Sequence, residues 1–180
     1  VAALVTTRLD ALGVYPDPTA AAELLADAIG VDSGRLLLTN GGSEAIAMVT
    51  AEIGGSVRSE PEFALHPRGA GGPIWRSDPH NPTGRLAGGD EVADVWDEAF
   101  YPLATGRWSA KRPGVVVGSL TKAFNCPGLR LGYLIADDVD RFARHQPHWS
   151  VNSLALAVMP DLIERAALSD WSAGIARQRT

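Results

Sequence analysis

Two cations eight positions apart, Lys122 and Arg130, carry the first sign of chemistry in this chain. They lie in the run Ser119-Leu120-Thr121-Lys122-Ala123-Phe124-Asn125-Cys126-Pro127-Gly128-Leu129-Arg130. Lys122 is one of two lysines in 180 residues, beside fourteen arginines. A guanidinium stays protonated and cannot become a nucleophile, whereas an amine can. A lysine kept among arginines, between an apolar run and a Gly-containing turn, is a candidate for attachment to an aldehyde as a Schiff base. Arg130, beyond the turn, offers a planar fork for a phosphate. The other lysine, Lys111, sits in the polar loop Ser109-Ala110-Lys111-Arg112-Pro113 and needs no such account.

Three more loops add different chemistry. Gly41-Gly42-Ser43 can hold a phosphate with backbone amides and a hydroxyl. Asn81-Pro82-Thr83-Gly84 fixes an amide side chain in a rigid turn. Asp97 ends an apolar segment, where a carboxylate needs a cationic partner. Together these groups suit an anionic, nitrogen-containing ring cofactor bound through an aldehyde. Each also has a plainer reading: Gly-Gly-Ser as an ordinary turn, Asp97 as a cap, an aromatic such as Phe63 as core.

The elements that must position these groups alternate between strand and helix. Asp17-Pro18-Thr19 opens an Ala-rich helix that Gly30 ends. Arg35 to Thr39 reads as a buried strand, followed by the Gly-rich turn and a helix from Glu44 to Ile53. Short strands are expected at Ser56-Val57-Arg58, Ile74-Trp75-Arg76, Ala93 to Trp96, Val115 to Ser119 and Leu131 to Ala136. Asp137-Asp138 would cap the next helix, and from Ser153 the pattern is helical with an interruption at Pro160. Polar and Gly/Pro residues cluster just after the strands. This order predicts an α/β fold with a mostly parallel central sheet and a site at the strand ends.

Composition narrows the function. Hydrophobic residues at 46% and charged residues at 21% describe an ordinary globular chain, long enough for one domain. A net charge of −5 and the lack of a basic tract argue against nucleic acid. No apolar run reaches the ~20 residues that cross a bilayer, so no membrane association is expected. Cys126 is the single cysteine, which excludes an internal disulfide and fits a reducing, cytoplasmic setting. The histidines, His66, His80, His145 and His148, show no metal-ligand spacing. The chain begins at Val1 and ends in a helix-like segment, so it reads as part of a longer protein.

Taken in order, these motifs resemble the fold type I pyridoxal-phosphate enzymes. Within them the chain is similar to class I/II aminotransferases, in the group of histidinol-phosphate aminotransferases and threonine-phosphate decarboxylases. The resemblance implies a three-layer large domain over residues 1–180, with a C-terminal small domain outside it. It implies pyridoxal 5'-phosphate as cofactor and Lys122 as the residue that forms the internal aldimine and later moves the substrate proton. Arg130, Ser119, Gly42 and Ser43 would hold the phosphate. Asn81 would bond the ring 3'-oxygen, Asp97 would pair with the ring nitrogen, and Phe63 would stack on the ring. Tyr15 matches a tyrosine that reaches the phosphate of a neighbouring subunit, which implies a homodimer with shared sites.

Three departures accompany the resemblance. Phe100 stands three residues after Asp97, where the family often has tyrosine; phenylalanine occurs there in the decarboxylase relatives. The spacings from Phe63 to Asn81 and from Asn81 to Asp97 are shorter than usual, as if a strand–helix unit and another helix were absent. The arginine for the substrate carboxylate normally lies in the small domain, and neither Arg177 nor Arg179 matches it. The expected activity is amino-group transfer from an amino acid, or a phosphorylated amine analogue, to a keto acid. The alternatives are threonine-phosphate decarboxylation in cobalamin biosynthesis and a degenerate homologue that binds the cofactor without turnover.

Overall fold

The computed structural model describes residues 1–178. Six strands form one sheet: β1 (Leu36–Asn40), β2 (Ser56–Val57), β3 (Ile74–Ser77), β4 (Val95–Asp97), β5 (Val115–Ser119) and β6 (Leu131–Ile135). Their order is β1-β6-β5-β4-β3-β2. Strands β2 to β5 are mutually parallel, and β6 runs antiparallel to both neighbours, β5 and β1. The helices are α1 (Ala2–Thr6), α2 (Thr19–Ile29), α3 (Gly42–Ile53), α4 (Tyr101–Thr105), α5 (Leu120–Ala123), α6 (Asp140–Ala143), α7 (Ser153–Glu164) and α8 (Leu168–Gln178).

The strands are apolar on both faces, as a sheet covered on both sides requires. Leu36, Leu38, Trp96, Val116, Leu131, Tyr133 and Ile135 pack with Leu25 and Ile29 of α2 and with Leu156 and Met159 of α7. The alternate positions Trp75, Val95, Val117 and Leu134 pack with Ile46 and Val49 of α3 and with Phe142 of α6. Residue alternation along each strand thus feeds two apolar layers. The result is the expected α/β architecture with a mostly parallel central sheet.

Local signals fall close to where the sequence places them. Gly30 ends α2 at φ +78°, a left-handed conformation that glycine adopts freely. The Asp17 carboxylate accepts from both Thr19 N and Thr19 Oγ1, at 3.0 and 2.7 Å. Pro160 is the exception, because α7 runs through it to Glu164. An interior proline costs about 3 kcal/mol. Here Pro160 itself is exposed, while Leu156, Val158, Met159 and Leu162 around it are buried. At roughly 1.5–3 kcal/mol for each large apolar side chain, that burial outweighs the lost hydrogen bond.

Candidate active site

Parallel strands deliver their C-terminal ends to one edge of the sheet. Ser77 of β3 pairs with Asp97 of β4, and Asp97 pairs with Val117 of β5. β5 then ends at Ser119, and α5 begins at once. Lys122 is the exposed residue of that single turn, while Leu120, Thr121 and Ala123 are buried. The turn is pinned by its neighbours, and the amine is left facing the opening. A cavity of about 250 Å³ lies there, lined by Gly42, Ser43, Phe63, Asn81, Asp97, Ser119, Lys122 and Arg130. Eight of the nine residues singled out from the sequence therefore meet in one cavity.

One end of the cavity is built for an anion. Gly41 has φ +79° and leads into α3, whose first turn carries N–H groups with no partner inside the helix. Arg130, itself at φ +56°, folds back so that Nη2 donates to Ser43 Oγ at 3.1 Å and to Asn40 O at 3.4 Å. A Cβ at position 41 would stand 2.2 Å from Arg130 Nη2, so a side chain there would displace the guanidinium from its place, while φ itself favours glycine. Gly132 of β6 lets the turn approach, since a Cβ there would meet Gly41 C at 2.4 Å. Ser119 Oγ lies 2.7 Å from Thr121 Oγ1, and both residues line the cavity.

The other end is acidic and ordered. Asp97 is buried; its Oδ1 accepts from Ala99 N at 2.9 Å, and its Oδ2 lies 3.0 Å from His66 Nε2. A carboxylate only accepts, so the imidazole carries its proton on Nε2. His66 Nδ1 is buried without a hydrogen-bond partner, and the ring packs 5.3 Å from Trp75 and 5.6 Å from Phe63. Asn81 and Lys122 also line the cavity, with Lys122 Nζ 5.5 Å from the centre of the Phe100 ring. Tyr15 does not join this cavity. It is exposed and stacks on Trp149 at 4.8 Å.

The sequence model for the family described as aminotransferase class I and II matches residues 72–169, more than half of the chain. The chain belongs to this family. Histidinol-phosphate aminotransferase 2 of Methylococcus capsulatus is 25% identical over 213 aligned positions, covering 84% of this chain and 57% of the relative. Because 84% of 180 residues is about 151, about 60 of those positions are gaps in this chain, which agrees with its short spacings. Threonine-phosphate decarboxylase of Salmonella typhimurium is 41% identical over 98 positions, covering 43% of this chain and 27% of the relative. Among solved structures, histidinol-phosphate aminotransferase from Sinorhizobium meliloti in complex with pyridoxal-5'-phosphate superposes with a TM-score of 0.79. It is 14% identical and covers 98% of this chain and 64% of that one. The chain spans a little over half the length of the curated relatives it matches.

Class I and II aminotransferases are pyridoxal-phosphate enzymes, and the cavity has the donor set for that cofactor. Cation, hydroxyls and helix N–H groups gather at one end, and a buried carboxylate stands at the other. Sequence alone does not single out His66, Thr121 and Ser77, which line or order the cavity. His66 was passed over for want of metal-ligand spacing; its three-residue distance from Phe63 was the available signal. Arg177 does not line the cavity, and Arg179 lies outside the described residues.

Behind Asp97 sits a second carboxylate with a measurable consequence. Glu98 is fully buried and accepts from Ala110 N at 3.2 Å. Burial pushes it up to about 7, against an opposing hydrogen bond from Ser109, with the nearby Asp78 charge adding to the rise. The folded state therefore keeps a proton that the unfolded chain loses near pH 4.5. Stability conferred by that proton falls as pH rises from the unfolded value to about 7. At about 1.4 kcal/mol per unit this reaches ~3 kcal/mol. Glu98→Gln removes the titration. Its melting temperature relative to the parent is expected to rise between pH 5 and about 7 and then level off; parallel melting curves from pH 5 to 7 would refute the assignment.

Proposed function

We propose that this chain is the cofactor-binding domain of a pyridoxal-phosphate aminotransferase, transferring an amino group from an amino acid or phosphorylated amine analogue to a keto acid. The observation that carries this reading is the meeting of Lys122, Asp97, Asn81 and Arg130 in one cavity. Bound pyridoxal phosphate supplies an electron sink for a carbanion next to the amino nitrogen. Arg130, Ser43, Ser119 and the first turn of α3 hold the phosphate. Asp97, steadied by His66, would hold a positive charge on the ring nitrogen, and Phe63 would wall the ring. Lys122 Nζ would be the group that attaches the cofactor and the base that carries the substrate α-proton. Exposed Tyr15 fits a role at the phosphate of a second copy, in a homodimer with shared sites. Buried Cys126 fits a reducing, cytoplasmic setting. Among the described residues no helix is long and apolar enough to cross a membrane.

A second reading, threonine-phosphate decarboxylation, is favoured by Phe100 and by the 41% identity to the Salmonella typhimurium enzyme over 98 positions. The chain is to be given pyridoxal phosphate with histidinol phosphate and a keto acid, and separately with threonine phosphate. Amino transfer from the first supports the leading reading; carbon dioxide from the second replaces it. Absence of any cofactor-induced absorbance change defeats both and leaves a non-binding homologue.

A further inference from the structure

Strands β2 and β3 are parallel neighbours, yet the sixteen residues between them, 58–73, contain neither helix nor strand. Parallel neighbours are usually joined through a helix, which packs on the sheet and fixes the crossover. Unstructured connections of this length are uncommon in compact domains and tend to serve a function. This one carries Phe63 and His66, the cavity wall and the partner of Asp97. Something other than a helix must hold them.

Two side chains do so from opposite sides. On the outside, Arg68 gathers the backbone: Nη1 donates to the carbonyls of Phe63 at 2.8 Å, Ala64 at 3.2 Å and His66 at 2.5 Å. Its Nη2 donates to Glu62 O at 3.1 Å, and its Nε donates to Glu60 Oε1 at 2.9 Å. On the inside, the Glu62 side chain is only 1% exposed. Its Oε1 accepts from Phe63 N at 3.1 Å and from Ser77 Oγ at 2.5 Å, and its Oε2 accepts from Ser77 N at 3.2 Å. His80, which precedes Asn81, lies 3.9 Å from the same carboxylate and contacts Pro61 O at 2.9 Å. The buried carboxylate thus ties the Phe63 loop to the end of β3, and the His80–Pro61 contact joins the Asn81 turn to the same loop. A lone surface ion pair such as Arg68–Glu60 contributes little. A guanidinium collecting four carbonyls of one turn is a different object, because it satisfies backbone groups that a helix would satisfy itself.

We propose that Arg68 and Glu62 are positioning residues for the ring end of the site, a two-sided clamp that takes the place of a crossover helix and aims Phe63 and His66. The proposal rests on the cavity taking pyridoxal phosphate. The test uses the full chain and its variants Arg68→Ala, Arg68→Lys and Glu62→Ala. Chymotrypsin cleavage after Phe63 or Leu65 is followed without cofactor, and cofactor affinity and visible circular dichroism per bound cofactor are followed with it. Far-UV circular dichroism confirms that each variant is folded.

Arg68→Ala should speed cleavage in the loop about tenfold, weaken cofactor binding about tenfold and reduce the visible signal. Lysine keeps the charge but cannot span four carbonyls, so Arg68→Lys should recover little. Full recovery by lysine would reduce the clamp to a charge effect and overturn it. So would Arg68→Ala and Glu62→Ala proteins that match the parent in both cleavage and cofactor signal. If the parent takes up no cofactor, the proposed function falls by itself. The clamp is then decided by proteolysis: faster cleavage of folded Arg68→Ala supports it, and equal cleavage sinks it.

Discussion

Replacing Lys122 by alanine is expected to abolish both covalent capture of the cofactor and turnover. The amine stands on the exposed side of a one-turn helix whose other residues are buried. No second lysine can substitute, because Lys111 is in another loop, with its Nζ 3.1 Å from where a Cβ on Gly30 would stand. Borohydride reduction of the parent with pyridoxal phosphate should add the cofactor mass to the peptide containing Lys122. The Lys122→Ala protein should show no addition, and the loss of a nucleophile and proton carrier should lower any activity by about 10²–10⁴-fold or more. Arg130 and the α3 turn remain, so the variant should still bind the cofactor non-covalently. A label found elsewhere, or Lys122→Ala turnover at the parent's rate, would overturn the assignment.

The second large effect is expected at Asp97. Asparagine in its place keeps the shape and the acceptor for Ala99 N, so the end of β4 should remain folded. It removes the negative charge from a buried position where screening by water is weak. On the proposed reading, a bound cofactor ring would then lose the counter-ion for its nitrogen. Turnover is expected to fall about 10²–10³-fold, the scale of losing one preorganised electrostatic contact. Capture at Lys122 should persist, since the phosphate end is untouched. That split separates Asp97→Asn from a folding defect. Equal turnover in Asp97→Asn and the parent would remove Asp97 from the site.

Local chemistry was legible in the sequence where one short segment contains all of it. The turn Gly41-Gly42-Ser43 follows a strand and opens a helix, so its use as an anion cradle can be read without knowing where the rest of the chain lies. The same holds for Asn81-Pro82-Thr83-Gly84, for Gly30 at a helix end and for β5 from Val115 to Ser119. Pro160 reads as an interruption because local propensity is the only term the sequence offers there, and tertiary burial exceeds it.

Pairing across distance was not legible. His66 and Asp97 are 31 residues apart, Glu62 and Ser77 are fifteen apart, and Arg130 and Ser43 are 87 apart. Each pair exists only because strand order brings two loops to the same sheet edge. The connection from β2 to β3 is the sharpest case. Only the folded chain shows Arg68 and Glu62 gripping it from both sides.

The sequence alone determined the alternation of strand and helix, the family resemblance and the residue types of the site, because those depend on spacing within one segment. Tertiary structure decided that eight of those residues share one cavity and that Tyr15 lies outside it on Trp149. It also decided that the His66 imidazole orders the Asp97 carboxylate. These outcomes depend on the order and direction of six strands, which hydrogen bonds between distant segments select.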